Sequence, residues 1–81
     1  MKEHESRRCK LKEKFYIHSG EEYSVDSLNE IVYVDSNNLL HNLHGFSFRI
    51  SEPLFFIHGV IYENKGEWEF EANRLLMLDE L

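Results

Sequence analysis

Hydrophobic and polar positions alternate with a period of two residues along much of the chain between residues 14 and 71. Such alternation is typical of β-strands, because successive side chains of an extended chain point to opposite faces. The pattern predicts strands over residues 14–18, 30–34, 46–50, 54–62 and 67–71. Turn residues separate several of these segments, with Ser19-Gly20 after the first and Ser51-Glu52-Pro53 before the fourth. We therefore expect a small antiparallel sheet of four to five strands.

The last two predicted strands form a hairpin in this interpretation. Residues 54–62 are apolar on both faces, as expected of a central strand that is covered on two sides. Asn64-Lys65-Gly66 fits a three-residue loop with Gly66 in the left-handed conformation. With that loop, Tyr62 lies opposite Trp68 on the partner strand 67–71.

One helix is predicted, over residues 37–44. Asp35 or Ser36 can cap its start, three leucines follow with near-helical spacing, and Gly45 stands where a C-cap belongs. Together with the sheet, this helix indicates an α+β fold.

The two ends of the chain are less regular. Residues 1–13 are interpreted as a basic N-terminal arm or helix, because they contain helix-forming residues but no apolar stripe. Residues 14–81 are interpreted as a single acidic α+β domain. Residues 73–78 either prolong the last strand or form a closing helical turn, and the pattern leaves both alternatives open.

Charge divides the chain in the same place. Residues 1–14 carry six basic against three acidic side chains, a net +3, and residues 15–81 carry three against twelve, a net −9. An acidic body repels nucleic-acid phosphates and favours basic surfaces. The arm can meet an acidic partner or fold back onto its own domain.

Length and cysteine content limit the class of protein. Eighty-one residues suit one domain with a modest core, and no run approaches the roughly 20 apolar residues that cross a bilayer. Cys9 is the only cysteine, so no disulfide framework is expected. We expect a cytoplasmic protein. Arg7, Arg8, Lys10 and Lys12 can lower the pKa of Cys9, but no base is positioned beside it, and an incidental thiol is the favoured interpretation.

No motif for catalysis or cofactor binding is present. His41 and His44 are three residues apart on the predicted helix, but a third ligand at a typical spacing is missing, so we expect no metal site. His18 and His58 are interpreted as core or rim residues, and Ser19 lacks the flanking glycines of a nucleophile elbow. We expect neither an enzyme nor a bound cofactor.

One segment resembles the RNA-recognition-motif family. His44-Gly45-Phe46-Ser47-Phe48 is similar to the family's first RNA-contacting motif, and Phe15-Tyr16-Ile17 lies at a suitable distance upstream to match its other aromatic strand. The resemblance covers about fifteen residues and implies base stacking on Tyr16, Phe46 and Phe48. It departs from the family at His44 and Arg49 and in the −9 body, so direct nucleic-acid binding is not the first expectation. Core-facing phenylalanines explain the same pattern.

The strand 67–71 has the most distinctive predicted surface. Period two places Glu67, Glu69 and Glu71 on one face about 6.6 Å apart, and Glu63 and Glu52 extend the strip. A row of carboxylates resembles the charge pattern that nucleic-acid-binding proteins receive. The alternative is a solvated edge strand whose charges discourage pairing between sheets.

These observations favour a small non-enzymatic inhibitor or regulator. Its acidic sheet face would bind a basic surface of another protein, most readily a nucleic-acid-binding one. Its size and charge are similar to those of small phage-encoded anti-defence proteins, which is an analogy without a shared motif. The alternatives are a dimerising scaffold-type protein with an aromatic sheet face, and the RNA-binding module described above. We expect no membrane partner.

Overall fold

The computed structural model describes residues 4–49 and 51–80, which form an α+β fold. Seven strands precede one helix: β1 (Arg7–Arg8), β2 (Lys14–Tyr16), β3 (Glu22–Ser24), β4 (Ile31–Val34), β5 (Phe48–Arg49), β6 (Pro53–Ile57), β7 (Val60–Tyr62) and α1 (Lys65–Asp79). Residues 1–3 of the predicted arm, Ile50 of the predicted strand 46–50, and Leu81 lie outside the described residues. The predicted fold class is confirmed.

Five strands form the main sheet in the order β1-β4-β5-β6-β7, and every neighbouring pair is antiparallel. Strands β2 and β3 form a separate hairpin. The predicted strands 14–18, 30–34 and 46–50 correspond to β2, β4 and β5. β4 is the clearest case, because it is rich in β-branched residues and its burial alternates, with Val32 and Val34 completely buried.

The apolar side chains gather in two clusters. The first joins the β2–β3 hairpin to the main sheet and contains Cys9, Phe15, Val25, Val32, Val34, Leu40 and Phe56. The second lies between α1 and the sheet and contains Leu43, Ile57, Trp68, Ala72 and Leu75. The helix is therefore attached to the sheet through one side only.

The predicted helix at 37–44 is wrong. The Asp35 carboxylate accepts hydrogen bonds from the backbone N–H groups of Asn37 and Leu39, and Asn38 adopts a positive φ of 61°. This geometry is a turn, which reverses the chain after β4. Leu39 and Leu40 then form isolated bridges to β2 and β4, and the Leu40 amide donates to the carbonyl of Tyr16 in β2 rather than within a helix.

The predicted continuous strand 54–62 is also wrong, because it contains a hairpin turn. His58 and Gly59 have φ values of 47° and 85°, and Ile57 pairs with Val60 across them. Two residues with positive φ are typical of a tight type I′ turn. A Cβ on Gly59 would lie 2.7 Å from the backbone nitrogen of His18, so only glycine fits there.

The predicted loop 64–66 and strand 67–71 are replaced by the start of α1. The Asn64 side chain accepts hydrogen bonds from the N–H groups of Gly66 and Glu67, which makes it the N-cap. Trp68, Ala72 and Leu75 then form one buried stripe at helical spacing. Residues 73–78, for which strand and helix were both open, are helical.

The described part of the N-terminal segment is extended and packs on the body. Arg7–Arg8 pair with β4, and the Cys9 N–H donates to the carbonyl of Val32. The alternative of an N-terminal helix is therefore wrong for residues 4–13. No helix in the described ranges is long and apolar enough to span a membrane.

Candidate functional site

The five predicted partner-binding glutamates do not form a row. Glu67, Glu69 and Glu71 lie on α1, Glu63 precedes its N-cap, and Glu52 lies in the bend before β6. Because each helical residue turns about 100°, Glu69 lies roughly 160° around the axis from both Glu67 and Glu71. The regular spacing that suggested a mimic of nucleic acid depended on a strand that is absent from this segment.

One of these glutamates is already paired within the helix. Arg74 donates from Nε to both carboxylate oxygens of Glu71, at 3.1 and 3.2 Å, and also from Nη2 to Oε1. This pairing lowers the pKa of Glu71. Glu67 and Glu69 are exposed, and their carboxylates have no hydrogen-bond partner among the described residues.

Two large apolar side chains lie on the side of α1 that faces away from the core. Phe70 is 74% exposed and Met77 is 69% exposed, and Leu78, which follows Met77 in the chain, is also exposed. Phe70 and Met77 are seven residues apart, which places them two turns and about 10.5 Å apart on one side of the helix. Isolated exposed apolar residues are ordinary, but two large ones aligned on a helix that is also apolar on its inner face indicate a contact surface. We call Phe70, Met77 and Leu78 the outer face of α1.

The segment that carries this outer face is acidic. Between residues 63 and 80 six acidic side chains stand against two basic ones, and Arg74 is engaged with Glu71. The acidic side chains of this segment are Glu63, Glu67, Glu69, Glu71, Asp79 and Glu80. An apolar centre with a charged rim is the usual arrangement of a protein interface.

The aromatic residues that resemble an RNA-binding platform are separated. Tyr16 lies in β2 of the two-stranded sheet, whereas Phe48 lies in β5 of the main sheet. Phe48 packs on Phe15 with ring centroids 5.6 Å apart, and Phe46 packs edge-on against Tyr33 at 6.2 Å. These contacts are within the protein, and the three rings do not line one sheet face.

A cluster of histidines is the feature that sequence analysis missed. His4, His41 and His58 come from the N-terminal segment, from the stretch after the Asp35 turn, and from the β6–β7 turn. The rings of His41 and His58 stack with centroids 3.9 Å apart, and those of His4 and His58 are 5.0 Å apart. His58 Nδ1 lies 2.6 Å from Oδ2 of the buried Asp35.

The sequence spacing of these three histidines does not indicate that they lie together in the fold. His41 is completely buried, and His44, its predicted neighbour on one helix face, is exposed in a bend. Within residues 4–49 and 51–80, no group of three or more His, Cys, Asp or Glu side chains is arranged to hold a metal ion. Burial lowers the pKa of His41, which favours its neutral form.

Cys9 is covered and protonated. It is 5% exposed, and burial, followed by its hydrogen bond with Glu13, raises the pKa of the thiol to about 11. The nearby Arg7 lowers the pKa of the thiol, but by less than burial and Glu13 raise it. The Arg7 guanidinium is itself engaged with Glu13. The arrangement supports a packing role for Cys9 rather than a nucleophilic one.

Comparison with protein families, with curated proteins and with solved structures found no match.

Proposed function

We propose that this protein is a small non-enzymatic binding module that docks the outer face of α1 in an apolar groove of a basic partner protein. The supporting observation is the exposure of Phe70 and Met77 on the side of α1 away from both core clusters. Burying a side chain of this size stabilises a complex by roughly 1.5–3 kcal/mol. Anchors at positions i and i+7 of a helix are typical of helix-in-groove recognition.

Charge decides the kind of partner. A second copy of this chain would bring two acidic segments together, since residues 63–80 carry six acidic against two basic side chains in each copy. Like charges across an interface oppose association, whereas a basic rim on the partner would be attracted. Nucleic-acid-binding proteins carry such basic surfaces, so they remain the partner class that the proposal favours. By occupying the partner's basic surface, the protein would inhibit or regulate that partner.

Affinity capture with matched variants tests this proposal. The protein is immobilised as wild type, as the double variant Phe70→Ser/Met77→Ser, and as Leu28→Ser. Leu28 is a suitable control because it is 79% exposed but lies outside α1. Circular dichroism and thermal unfolding check that all three are folded.

We expect the wild type and Leu28→Ser to retain the same basic protein from the host-cell extract, and the double variant to bind it more than about tenfold more weakly. Glu67→Gln/Glu69→Gln should lower affinity at low salt and have little effect at high salt, because salt screens exposed charges. Equal retention by the wild type and the Phe70/Met77 double variant would refute the proposal. Sedimentation that showed a dimer dependent on Phe70 and Met77 would also contradict it, because the outer face would then bind a second copy of this chain.

A further inference from the structure

His4 joins three separate parts of the molecule. Its backbone N–H donates to Oδ2 of Asp79 at the end of α1, at 3.1 Å. Its carbonyl oxygen accepts a hydrogen bond from Nε2 of His41, at 2.7 Å. Its ring nitrogen Nδ1 lies 2.7 Å from Nε2 of His58 in the β6–β7 turn. The N-terminal segment therefore contacts both the helix and the β6–β7 turn of the sheet.

The contacts of His41 allow only its neutral form. Because Nε2 donates to a carbonyl oxygen, Nε2 carries the hydrogen, and Nδ1 accepts from the backbone N–H of His58 at 3.0 Å. A proton added to Nδ1 would face that N–H group directly. Protonation of His41 therefore requires the hydrogen bond from His58 to break.

The contact between His58 and His4 also limits how many protons the two rings can bind. Nδ1 of His58 carries a hydrogen, because it faces a carboxylate oxygen of Asp35. The 2.7 Å gap between His58 Nε2 and His4 Nδ1 holds one hydrogen, from either ring. If both rings are fully protonated, two N–H groups oppose each other across this gap.

Two carboxylates of the described residues contact the cluster. Asp35 contacts His58 and Asp79 contacts the backbone of His4, and the His41 ring faces Asp35 and the other two imidazoles. His18 lies on the neighbouring hairpin, whose backbone contacts Gly59, but its own side chain is exposed. Within stacking distance of one another, three imidazoles can share one positive charge balanced by Asp35, and further positive charges repel.

We propose that His4, His41, His58 and Asp35 form an acid-released clasp that holds the N-terminal segment against the last turn of α1. Above the ordinary titration range of histidine the clasp is closed. When a second proton enters the cluster, His41 and His58 separate from His4, and the amide of His4 leaves Asp79. Arg7–Arg8 remain paired with β4, so the opening is confined to the segment before β1.

This clasp is independent of the proposed docking of α1 on a partner. It gives the protein two local states that differ at the end of the helix, in a pH range where carboxylates stay ionised. A binding partner is not required for its operation or for its test.

Nuclear magnetic resonance of the full chain provides the test. Protection of the His4 amide from hydrogen exchange is measured at about pH 7.5 and about pH 5, after correction for the intrinsic exchange rate, and ¹⁵N shifts report the tautomer of each imidazole. At the higher pH we expect His41 as the Nε2–H tautomer and a protected His4 amide. At the lower pH we expect protection of the His4 amide to fall by about tenfold or more, whereas the Cys9 amide, which donates to the carbonyl of Val32, stays protected.

Variants separate the clasp from general acid sensitivity. His41→Gln keeps a side-chain donor for the His4 carbonyl but cannot be protonated, and His4→Gln removes one ring of the pair while keeping the backbone contacts. Both variants should lose less protection of the amide of residue 4 at low pH than the wild type does. We expect His4→Gln to fold, because His4 is only half-buried. His18→Gln and His44→Gln, at exposed sites, should behave as wild type. Equal protection of the His4 amide at both pH values, or an unchanged pH response in His4→Gln, would overturn the clasp.

Discussion

At the scale of single residues, Asp35 shows how one buried carboxylate directs the chain. Its sequence context suggested a helix N-cap, and it does accept backbone N–H groups, those of Asn37 and Leu39. Its second oxygen faces His58, from a turn 23 residues later. That long-range contact and the positive φ of Asn38 turn a capping residue into the centre of a chain reversal.

Replacement of Asp35 tests this role. Asp35→Ala leaves two backbone N–H groups and the His58 ring without their acceptor, so we expect a loss of about 3 kcal/mol in the free energy of unfolding. Asp26→Ala is the control, because Asp26 is exposed and accepts one hydroxyl hydrogen bond from Ser24. It should change stability by less than about 0.5 kcal/mol. Urea unfolding followed by Trp68 fluorescence gives both values, and similar losses would contradict the central position of Asp35.

At the scale of elements, α1 shows the limit of short patterns. Glu67-Trp68-Glu69-Phe70-Glu71 alternates perfectly and predicts a strand when these five residues are considered alone. Over residues 65–79, Trp68, Ala72 and Leu75 keep a helical period, and Asn64 provides the cap. Fifteen residues with a cap at the start outweigh five alternating ones, because helix formation is cooperative and is stabilised by a buried stripe.

The N-cap provides a test of this element. Asn64→Ala removes the acceptor for two N–H groups of the first turn and should lower the free energy of unfolding by about 1 kcal/mol. Asn73→Ala, at an exposed position within α1, should leave stability unchanged or raise it slightly, since alanine is the better helix former. Thermal unfolding of the two variants gives the comparison. If Asn64→Ala were as stable as Asn73→Ala, Asn64 would not act as a cap.

At the scale of the whole molecule, the basic N-terminal segment is part of the fold. Arg7 donates two hydrogen bonds to the Glu13 carboxylate, at 2.9 and 2.8 Å, and a third to Asn38. The Lys10 backbone N–H also donates to Glu13. The positive charge near β1 is therefore partly used inside the molecule, in agreement with the alternative that the arm folds back.

Two groups, Glu13 and His41, predict separate losses of stability in acid. The Arg7 guanidinium, followed by the Lys10 N–H, lowers the pKa of Glu13 from 4.5 to about 2, so its contribution is complete above pH 4.5 and disappears as the pH falls towards 2. Burial lowers the pKa of His41 below 6.5, so the fold excludes a proton that the unfolded chain binds, and stability falls as the pH drops below 6.5.

Chemical denaturation between about pH 3 and pH 8 resolves the two ranges. Glu13→Gln should flatten the dependence below pH 4.5 and leave the decline below pH 6.5 in place, whereas His41→Gln should flatten the latter. Glu52→Gln, at an exposed position, is the control and should follow the wild type. A Glu13→Gln profile that parallels the wild type below pH 4.5 would show that the Arg7–Glu13 pair does not act on stability.

Local sequence alone determined the antiparallel sheet and the strands β2, β4 and β5, whereas the α+β class was predicted from a helix at 37–44 that is a turn in the structure. These strands follow from β-branched and aromatic residues with turn residues beside them, which are properties of neighbouring positions. The acidic character of the C-terminal segment is equally local, because charge is read directly from the sequence. The capping role of Asn64 was available from the same information, but the five-residue alternation that follows it obscured it.

Only the tertiary structure decided the rest. The turn at His58-Gly59 depends on the close approach of His18, whose backbone nitrogen leaves no space for a Cβ on Gly59. The outer face of α1 is defined by which side of the helix packs on Leu43 and Ile57. In the histidine clasp, His4 contacts His41 and His58, which follow it in the chain by 37 and 54 positions. Contacts over such distances depend on how the elements pack, and no spacing within the sequence specifies them.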